Sequence, residues 1–432
     1  MRWKFDRLHG LVATLSAGAW EAAPMRARLR KAYPRTHGGC WVALCRSLMQ
    51  KFPARPEAGP LFAWLRKLPP KTWNRRLEFS LQEARYALEF ARARELRVPA
   101  LPRIPAVAAL ADHFGLNAEE LDWFADVHEL NRGVRAPRLE HYRYAWLKKP
   151  SGGRRLLEAP KERLKTIQRR ILADFLSHAP VHDAAHGFRA RRSIRTFTAP
   201  HVGRAAILKL DLASFFPSIP ASRIAGLFRW LGYPDDVAWR LACLCTHVTA
   251  RRLLLECDGA TIGRYRARHL PQGAPTSPAL ANLCAYRLDR RLAGLATRAG
   301  ADYARYADDL LFSGDEDFAR SAERFARRAA DICREEGFAV AAGKTRLRRQ
   351  GARQAAAGLV LNAKQNTPRE AFDELKAILF NCARRGLAAE NRNGEPDFAA
   401  HLAGRVSFIA SVNPARGEKL RRLLNAAVSR GQ

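Results

Sequence analysis

Three acidic residues are the side chains in this sequence best suited to chemistry: Asp211 and the adjacent pair Asp308 and Asp309. The pair lies in the segment RYADDLLFSG (305–314), whose aromatic and aliphatic residues favour two strands with the carboxylates at the tight turn between them. Two like charges side by side repel each other, and a divalent metal held between carboxylates and a phosphate chain relieves that repulsion. For the pair alone, a solvated turn in a hairpin is an equally good interpretation.

Asp211 shifts the balance toward a metal site because it ends the apolar run AAILKL (205–210), which indicates a buried strand whose terminal carboxylate needs a partner. A nearby lysine is the simple alternative partner. A shared two-metal site explains all three carboxylates, since in-line phosphoryl transfer uses one ion to activate the attacking hydroxyl and one to stabilise the leaving pyrophosphate. We therefore predict two Mg²⁺ ions, with Mn²⁺ as a possible substitute. The predicted catalytic and metal-binding residues are Asp211 and Asp308, which bridge the ions, Asp309, which supports them, and Leu212.

The composition favours nucleic acid as the first partner. The chain carries 75 Lys and Arg against 41 Asp and Glu, a formal charge of +34 that a polyanion would neutralise. Its 432 residues are enough for two or three domains, and 47% hydrophobic residues can fill their cores. A membrane surface is the alternative polyanion, but no stretch approaches the roughly 18 apolar residues of a membrane span and the N-terminus lacks a signal-peptide core. We therefore expect a cytoplasmic protein with no membrane partner.

Eight cysteines occur without the spacing of a disulfide framework, which indicates reduced thiols. Cys243, Cys245 and His247, with Cys257 further on, have the right side-chain types for zinc. If LACLCTH continues the preceding helix, however, residues two apart point to different faces. Buried thiols are therefore the favoured interpretation.

The elements that must position the carboxylates change in character along the chain. Helical periodicity broken by proline-containing turns predicts an α-helical N-terminal region over residues 1–100, and the proline-rich segment 98–105 forms its boundary. Short strands alternate with amphipathic helices from residue 142 onward, and Asn117 is the predicted N-cap of a short helix before them. A basic helical region follows from residue 367 to 432.

The stretches around the three aspartates resemble the palm motifs of reverse transcriptases, and six motifs follow in that family's order over residues 142–362. Residues 144–172 resemble the fingers hairpin, with Gly152 and Gly153 at its turn. The resemblance implies that basic residues of this hairpin hold the incoming triphosphate. The residues at the matching positions are Lys148, Lys149 and Arg155, for which a solvated basic loop is the alternative interpretation.

Other nucleotide-binding residues also follow from the resemblance. The aromatic residue five positions after Asp211 is Phe216, which corresponds to the gate beneath the sugar that selects deoxynucleotides; one of the Phe215 and Phe216 rings is expected in the core and the other in the pocket. The segment LPQGAPTSPALANL (270–283) resembles the motif that positions the dNTP and the template base. Its residues Gln272 and Gly273 begin a turn, and a helix is predicted to start near Ser277 or Pro278. Lys344 matches a position near the pyrophosphate.

Three further residues inherit contacts to template or RNA from the resemblance. The segment HDAAHGFRARRSI (182–194) resembles the motif that touches the template and the floor of the nucleotide site. The residues assigned to this contact are His186, Arg189 and His201. Structural, hydrogen-bonded histidines are the alternative interpretation.

The family resemblance implies an α+β fold of the right-hand polymerase type, with fingers and a palm built on an antiparallel sheet over residues 101–366. A helical thumb over residues 367–432 and the α-helical N-terminal region complete this expected architecture. The enzyme would be an RNA-directed DNA polymerase.

Within the family, the sequence is most similar to bacterial retron-type reverse transcriptases. These usually carry Asn-Ala-x-x-His before the first catalytic aspartate, where this chain keeps only His201 of residues 197–201, and Val-Thr-Gly after the palm, where it has Ala356, Ala357 and Gly358. The resemblance implies copying of a structured noncoding RNA into short single-stranded DNA, in antiphage defence and with a possible effector protein. Other defence-associated enzymes, group II intron-like enzymes and a non-catalytic RNA-binding palm protein are the alternatives.

Overall fold

The structure is a computed structural model that describes residues 11–12, 14–16, 19–32, 38–67, 101–133, 136–148, 154–254, 262–263 and 265–429. It divides into two compact units, which are described separately. The first unit contains residues 1–179 and 219–280, and the second contains residues 180–218 and 281–432. The division into 1–100, 101–366 and 367–432 stays a prediction.

The first unit begins with helices that lie in the expected helical N-terminal region. Helices α1 (Ala22–Ala32), α2 (Gly38–Lys51) and α3 (Ala58–Lys67) bury apolar residues at helical spacing in one cluster. Trp41, a member of this cluster, is fully enclosed. Residues 68–100, for which helix was also expected, lie outside the described residues.

The rest of the first unit combines one hairpin with short helices. Strands β1 (Tyr142–Lys148) and β2 (Arg154–Pro160) pair antiparallel, as predicted, and the expected glycine turn between them lies outside the described residues. Asn117 caps its helix in a reciprocal capping box with Glu120, which confirms the predicted N-cap. The helices among the described residues of this part are α4 (Val107–Phe114), α5 (Ala118–Ala125), α6 (Glu162–Ile171), α8 (Ala221–Trp230), α9 (Asp235–Cys245) and α10 (Arg251–Leu254).

The second unit is built around a four-stranded antiparallel sheet in the order β4-β5-β3-β6. Its strands are β3 (Ala206–Asp211), β4 (Asp302–Tyr306), β5 (Asp309–Gly314) and β6 (Arg346–Arg349). Helices α12 (Tyr286–Arg298) and α13 (Glu316–Glu335) contact the sheet, and α13 has a long apolar stripe that fits this position. Helix α7 (Ile194–Thr198) packs with the sheet in an apolar cluster that includes Ile207 and Leu311.

Two smaller parts complete the second unit. Strands β7 (Ala355–Ala356) and β8 (Leu359–Val360) form a hairpin whose two turn residues, Ala357 and Gly358, both have positive φ, which favours glycine. The C-terminal helices pack through one apolar cluster that includes Leu379, Leu402 and Leu420. These helices are α14 (Arg369–Arg385), α15 (Leu387–Glu390), α16 (Phe398–Val412) and α17 (Pro414–Ser429).

Helix α11 (Ser277–Cys284) begins where a start was predicted. In the described part of the chain, no helix is long and apolar enough to cross a bilayer. The cysteines described in side-chain detail are buried free thiols, Cys243 and Cys245 among them, which confirms the favoured interpretation for these residues. Helix α9 ends at Cys245, so His247 follows the helix instead of continuing it, and Cys257 lies outside the described residues.

Candidate active site

The end of the central sheet brings the three aspartates together. Asp211 is the last residue of β3 and stands directly opposite Asp309, the first residue of β5, in the antiparallel register. The backbone N–H of Leu212 donates to the carbonyl of Asp308 over 2.9 Å, which holds the turn against the end of β3. The predicted strands and the tight turn between them are therefore confirmed, and three carboxylates distant in sequence share one end of the sheet.

Two lysines neutralise part of this charge. The Nζ of Lys344 lies 3.0 Å from both carboxylate oxygens of Asp211, and the Nζ of Lys209 lies 2.8 Å from an oxygen of Asp309. Burial raises the pKa of Asp308, and the charges of Asp309 and Asp211 raise it further. When all three carboxylates are ionised, they outnumber the two lysines by one negative charge. This net charge favours the binding of a further cation.

The donor set suits a hard divalent cation because every side chain in it is a carboxylate. The geometry is held by lysines, however: within the described residues, no group of three or more His, Cys, Asp or Glu side chains is arranged to enclose a metal ion. A metal would have to displace the ammonium groups of Lys209 and Lys344 from the oxygens they now contact.

Ala307 precedes the two aspartates and has a φ of +54°, a left-handed conformation that costs a non-glycine residue about 1 kcal/mol. Neighbouring residues hold this turn in place. A guanidinium nitrogen of Arg305 donates to the carbonyl of Ala307 over 3.1 Å. The backbone of Gly187 lies so close that a Cβ there would be 2.8 Å from the nitrogen of Ala307. The position of the carboxylates thus depends on residues outside the turn.

Arg305 itself is fully buried in a network that the sequence did not reveal. Its guanidinium donates to both oxygens of Asp289 over 2.7 Å and to the side-chain oxygen of Asn282 over 3.0 Å. Asn282 in turn donates to the carbonyl of Gly187 over 2.8 Å. One signal for this network was available in the sequence. Arg305 stands at a position of β4 that faces the helices, where an apolar residue is expected.

The residues predicted to contact template or RNA divide into buried and exposed groups. His201 is fully enclosed and its Nδ1 lies 2.7 Å from the hydroxyl of Ser313, while the buried His186 bonds to Thr196 over 2.9 Å. Burial lowers the pKa of His201 to about 3 and of His186 to about 4, so both are neutral. Such positions favour structural roles for the two imidazoles, whereas Arg189 is more accessible and lies 3.4 Å from Asp183.

Phe188 is an accessible aromatic residue that sequence reasoning missed. It is 51% exposed, has a φ of +58°, and its ring lies 6.2 Å from that of Phe216 and 6.3 Å from that of Tyr306. Tyr306 is the residue opposite Asp309 in the sheet. The available signal was a large aromatic residue within the basic segment HGFRARR.

Phe215 lies in the core, as expected for one of the two rings, whereas the place of Phe216 in a nucleotide pocket stays a prediction. The expectation assumed an extended chain, but residues 213–218 form turns. Phe215 is 4% exposed and its ring lies 5.5 Å from that of Phe338, whereas Phe216 is only half-buried. The turn arises directly after β3, where Ser214 has a positive φ.

The residues predicted to hold the nucleotide lie in both units. Phe216 and Lys344 share the second unit with the carboxylates, while Lys148 and Arg155 are exposed on the hairpin of the first unit. Lys149 lies outside the described residues. Gln272 and Gly273 form a turn, with a φ of +131° at Gly273, and the carbonyl of Gln272 accepts the backbone N–H of Glu158 over 2.8 Å. A Cβ on Gly273 would lie 3.1 Å from the carbonyl of Glu158, so the turn needs a glycine for this approach.

A buried ion pair supports this turn. The carboxylate of Glu158 lies 2.8 Å from Nε2 of His269 and accepts the hydroxyl of Thr249 over 2.7 Å, and these three side chains are almost wholly enclosed. Burial opposes ionisation of both partners, but the opposite charges and their hydrogen bond outweigh it. The pKa of Glu158 is therefore lowered and that of His269 raised, while burial keeps the neighbouring His247 neutral with a pKa of about 3.

This pair predicts a pH-dependent stability. A lowered Glu158 pKa stabilises the fold above its ordinary value of 4.5, and a raised His269 pKa stabilises it below its ordinary value of 6.5 until the pH rises through the raised value. Glu158→Gln is expected to cost about 3–5 kcal/mol of unfolding free energy at pH 6, because it leaves a buried imidazolium unpaired. The difference from the unsubstituted protein, measured by urea unfolding, should shrink as the pH rises above 7.

Glu162→Gln provides the control, since Glu162 is exposed and its ion pairs with Lys165 and Arg169 lie on the surface. It should change the unfolding free energy by less than about 1 kcal/mol at either pH. A Glu158→Gln effect that is equal at pH 6 and pH 9 would show that His269 carries no charge.

Comparison with known proteins shows which family the region around these residues matches. Residues 147–367, about half of the chain, match the family model described as reverse transcriptase (RNA-dependent DNA polymerase). The match contains the three aspartates, the Gln272–Gly273 turn and Lys344.

Individual relatives are similar to this chain over a larger share of its length than the family model covers. A retron Mx65 reverse transcriptase of Myxococcus xanthus is 45% identical over 66% of this chain and 64% of its own length. A retron Mx162 reverse transcriptase of the same organism is 36% identical over 76% of this chain and 68% of its own length. A retron Ec86 reverse transcriptase of Escherichia coli is 30% identical over 63% of this chain and 76% of its own length.

Proposed function

The chain belongs to the reverse transcriptase family and, within it, to the retron-type enzymes, and we propose that it copies a structured noncoding RNA into short single-stranded DNA. One observation carries the proposal: Asp211 stands opposite Asp309, with Asp308 beside them, at one end of a sheet within the matched region. A non-catalytic RNA-binding protein would have no need to gather three carboxylates at a strained turn. We expect a magnesium-dependent RNA-directed DNA polymerase.

The proposed chemistry assigns a role to each charged group at the end of the sheet. Asp211, Asp308 and Asp309, with the backbone of Leu212 next to them, would hold two Mg²⁺ ions. When bound, these ions would lower the pKa of the attacking 3′-hydroxyl and neutralise the leaving pyrophosphate. Lys344 now bonds to Asp211, and in the loaded enzyme its ammonium would be free to turn toward a phosphate. The lysine thus keeps the carboxylate in place until the substrate arrives.

The architecture proposed for this activity is that of a right-hand polymerase. The β1–β2 hairpin would be the fingers, with Lys148, Lys149 and Arg155 toward the triphosphate. The sheet β4-β5-β3-β6 would be the palm, and helices α14–α17 the thumb. Gln272 and Gly273 would position the nucleotide, and Arg189 would contact the template.

Phe216→Ala tests the proposed sugar gate. The ring of Phe216 is half-buried and shares the second unit with the carboxylates, so its loss would open space beside the sugar. Selectivity for a deoxynucleotide over the matching ribonucleotide, as a ratio of kcat/KM values, should fall by roughly 10²-fold. Phe380→Ala, which removes a ring that is 50% exposed on helix α14, serves as the control and should leave the ratio unchanged. An unchanged ratio in Phe216→Ala would remove this residue from the gate.

The retron assignment is tested by the nucleic acid that the protein carries. We expect protein purified from its native host to retain RNA covalently joined to a short DNA through a 2′-hydroxyl, and sequencing would identify both parts. Recovery of unlinked RNA alone from an enzyme that polymerises normally would contradict the retron product while leaving the polymerase intact. The proposed role in antiphage defence, with an effector protein as a possible partner, would then be withdrawn.

A further inference from the structure

Two side chains of the β1–β2 hairpin contact two histidines that lie far away in the sequence. Tyr144 and Glu158 stand directly opposite each other in the hairpin. His247 and His269 also face each other, because the backbone N–H of each donates to the carbonyl of the other over 2.9 Å. The hydroxyl of Tyr144 lies 2.7 Å from Nε2 of His247, and the carboxylate of Glu158 lies 2.8 Å from Nε2 of His269. These four residues, all in the first unit, are called the hairpin clamp.

The hairpin clamp attaches the Gln272–Gly273 turn to strand β2. His269 lies three residues before Gln272, and its partner Glu158 also meets the turn through the backbone. The N–H of Glu158 donates to the carbonyl of Gln272 over 2.8 Å, and its own carbonyl lies against Gly273, where a Cβ would approach to 3.1 Å. One residue of the hairpin therefore holds the turn through its backbone and, by way of His269, through its side chain.

Each polar side-chain atom of the Glu158–His269 ion pair has a hydrogen-bond partner. Both residues are almost fully enclosed. The second carboxylate oxygen of Glu158 accepts the hydroxyl of Thr249 over 2.7 Å, and Nδ1 of His269 lies 2.8 Å from the carbonyl of Ala267. A buried polar network whose members are all bonded is rigid and selects a single arrangement.

Stability alone does not account for an ion pair at this depth. Apolar residues of similar volume often stabilise a core as well as a buried ion pair does, because the two charges must be taken out of water. What the charged pair adds is one permitted geometry. Geometry matters beside a nucleotide site, since a displacement of about 1 Å can reduce a rate by about 10²-fold.

We propose that Glu158 and His269 are positioning residues that fix the Gln272–Gly273 turn relative to the β1–β2 hairpin and thereby set the affinity for the incoming nucleotide. This role rests on the proposed function, in which the hairpin cations hold the triphosphate and the turn positions the nucleotide. The pair acts through the turn and contacts no substrate itself. Loss of the pair lets the turn move, so the nucleotide binds more weakly, while the carboxylates of the second unit keep their arrangement.

Glu158→Gln and His269→Gln test the pair by single-turnover incorporation on an RNA template, under conditions where both variants are folded. Each should raise the Kd of the matched dNTP about 10-fold and change the maximal rate constant by less than about 2-fold. The double substitution should raise the Kd no further than either single one, because both act through one interaction. Additive increases in log Kd would overturn the pair as a unit.

Thr249→Val and Leu110→Ala separate positioning from a general loss of stability. Thr249→Val nearly keeps the shape of the side chain and removes one hydrogen bond to Glu158, so it should fold and raise the Kd of the dNTP about 3-fold. Leu110 is fully buried in helix α4 of the same unit but is not part of the clamp. Leu110→Ala should lower stability through a cavity and leave the Kd unchanged. An equal rise of the Kd in Leu110→Ala would overturn the proposal.

Inorganic triphosphate probes the hairpin without the turn, because it has neither a base nor a sugar. Its inhibition constant against the dNTP should be the same in His269→Gln and in the unsubstituted protein. A parallel rise of this constant and of the Kd of the dNTP would place the defect in the hairpin and contradict a positioning role at the turn.

Binding of the matched dNTP to protein, RNA template and a dideoxy-terminated primer requires no incorporation, so it distinguishes the two proposals. Protein that binds this dNTP more weakly in His269→Gln, yet extends no ordinary primer, would refute the polymerase and retain the positioning pair. Active protein with equal Kd values in both forms would refute the pair alone. Protein that neither binds nor incorporates the dNTP would overturn both.

Discussion

Replacing Asp308 with asparagine is expected to abolish magnesium-dependent dNTP incorporation while leaving the fold intact. The variant keeps the size of the side chain but removes the charge that would bridge the metal ions, so the rate should fall at least about 10³-fold, or about 4 kcal/mol. Stability should not fall, because burial and the charges of Asp309 and Asp211 raise the pKa of Asp308 and already disfavour its ionised form. Primer extension on an RNA template and urea unfolding measure the two effects.

Asp315→Asn is the matched control for this substitution. Asp315 lies in the same unit and caps helix α13 by accepting the backbone N–H groups of Asp317 and Phe318, a role that asparagine fills equally well. Its incorporation rate should match that of the unsubstituted protein. Normal incorporation by Asp308→Asn would remove Asp308 from the catalytic site.

A large loss of stability is expected from Asp289→Asn. Asp289 and Arg305 are both fully buried, and their two short hydrogen bonds compensate a guanidinium that has no access to water. Removal of the carboxylate charge should cost about 3–5 kcal/mol of unfolding free energy, measured by urea denaturation. Activity should also fall under conditions where the protein is folded, because Arg305 supports the carbonyl of Ala307 beside Asp308 and Asp309.

A double-mutant cycle measures the interaction energy between Asp289 and Arg305 separately from the cost of each single substitution. Arg305→Met alone should be as destabilising as Asp289→Asn, since it leaves a buried carboxylate unpaired, whereas the combination should cost less than the sum of the two. Strictly additive losses would show that the two charges do not interact. Asp302→Asn, on the same strand but in a half-exposed ion pair with Arg204, provides a control that should change stability by less than about 1 kcal/mol.

Local sequence patterns were sufficient to predict the elements that carry the carboxylates. The apolar run before Asp211 predicts the buried strand that forms. The aromatic and aliphatic residues around Asp308 and Asp309 predict the two strands and the tight turn between them. Asn117 likewise satisfies a purely local rule for a helix start. These features are predictable because the free energy that decides them lies between residues close in sequence.

Contacts set by tertiary register were not predictable in the same way. A lysine partner for Asp211 was one of the alternatives, but the identity of the lysines, Lys344 at Asp211 and Lys209 at Asp309, depends on which strands become neighbours. The burial of Arg305 depends on the distant Asp289, and the enclosure of His201 on Ser313 of another strand. A charged residue read from sequence alone is expected at the surface, so its buried partner has to be found in the structure.

The turn after β3 shows a further limit. Alternation along an extended chain correctly placed one ring of Phe215 and Phe216 in the core, but the segment turns, and the burial of Phe215 follows from packing against Phe338 on one side. A correct outcome therefore rested on an incorrect local geometry. Ser214 and Ala307 both have a positive φ. The sequence does not indicate this strain, because neither residue is a glycine or an asparagine, the types that usually mark such a conformation.

The most direct measurement is the number of Mn²⁺ ions bound, counted by electron paramagnetic resonance in the presence of primer, RNA template and a non-hydrolysable dNTP. With the three carboxylates as ligands, the unsubstituted protein should bind two ions beyond those held by the nucleic acid and nucleotide alone, Asp315→Asn should bind the same number, and Asp308→Asn should bind fewer. Equal binding by Asp308→Asn and the unsubstituted protein would contradict a metal site at Asp211, Asp308 and Asp309.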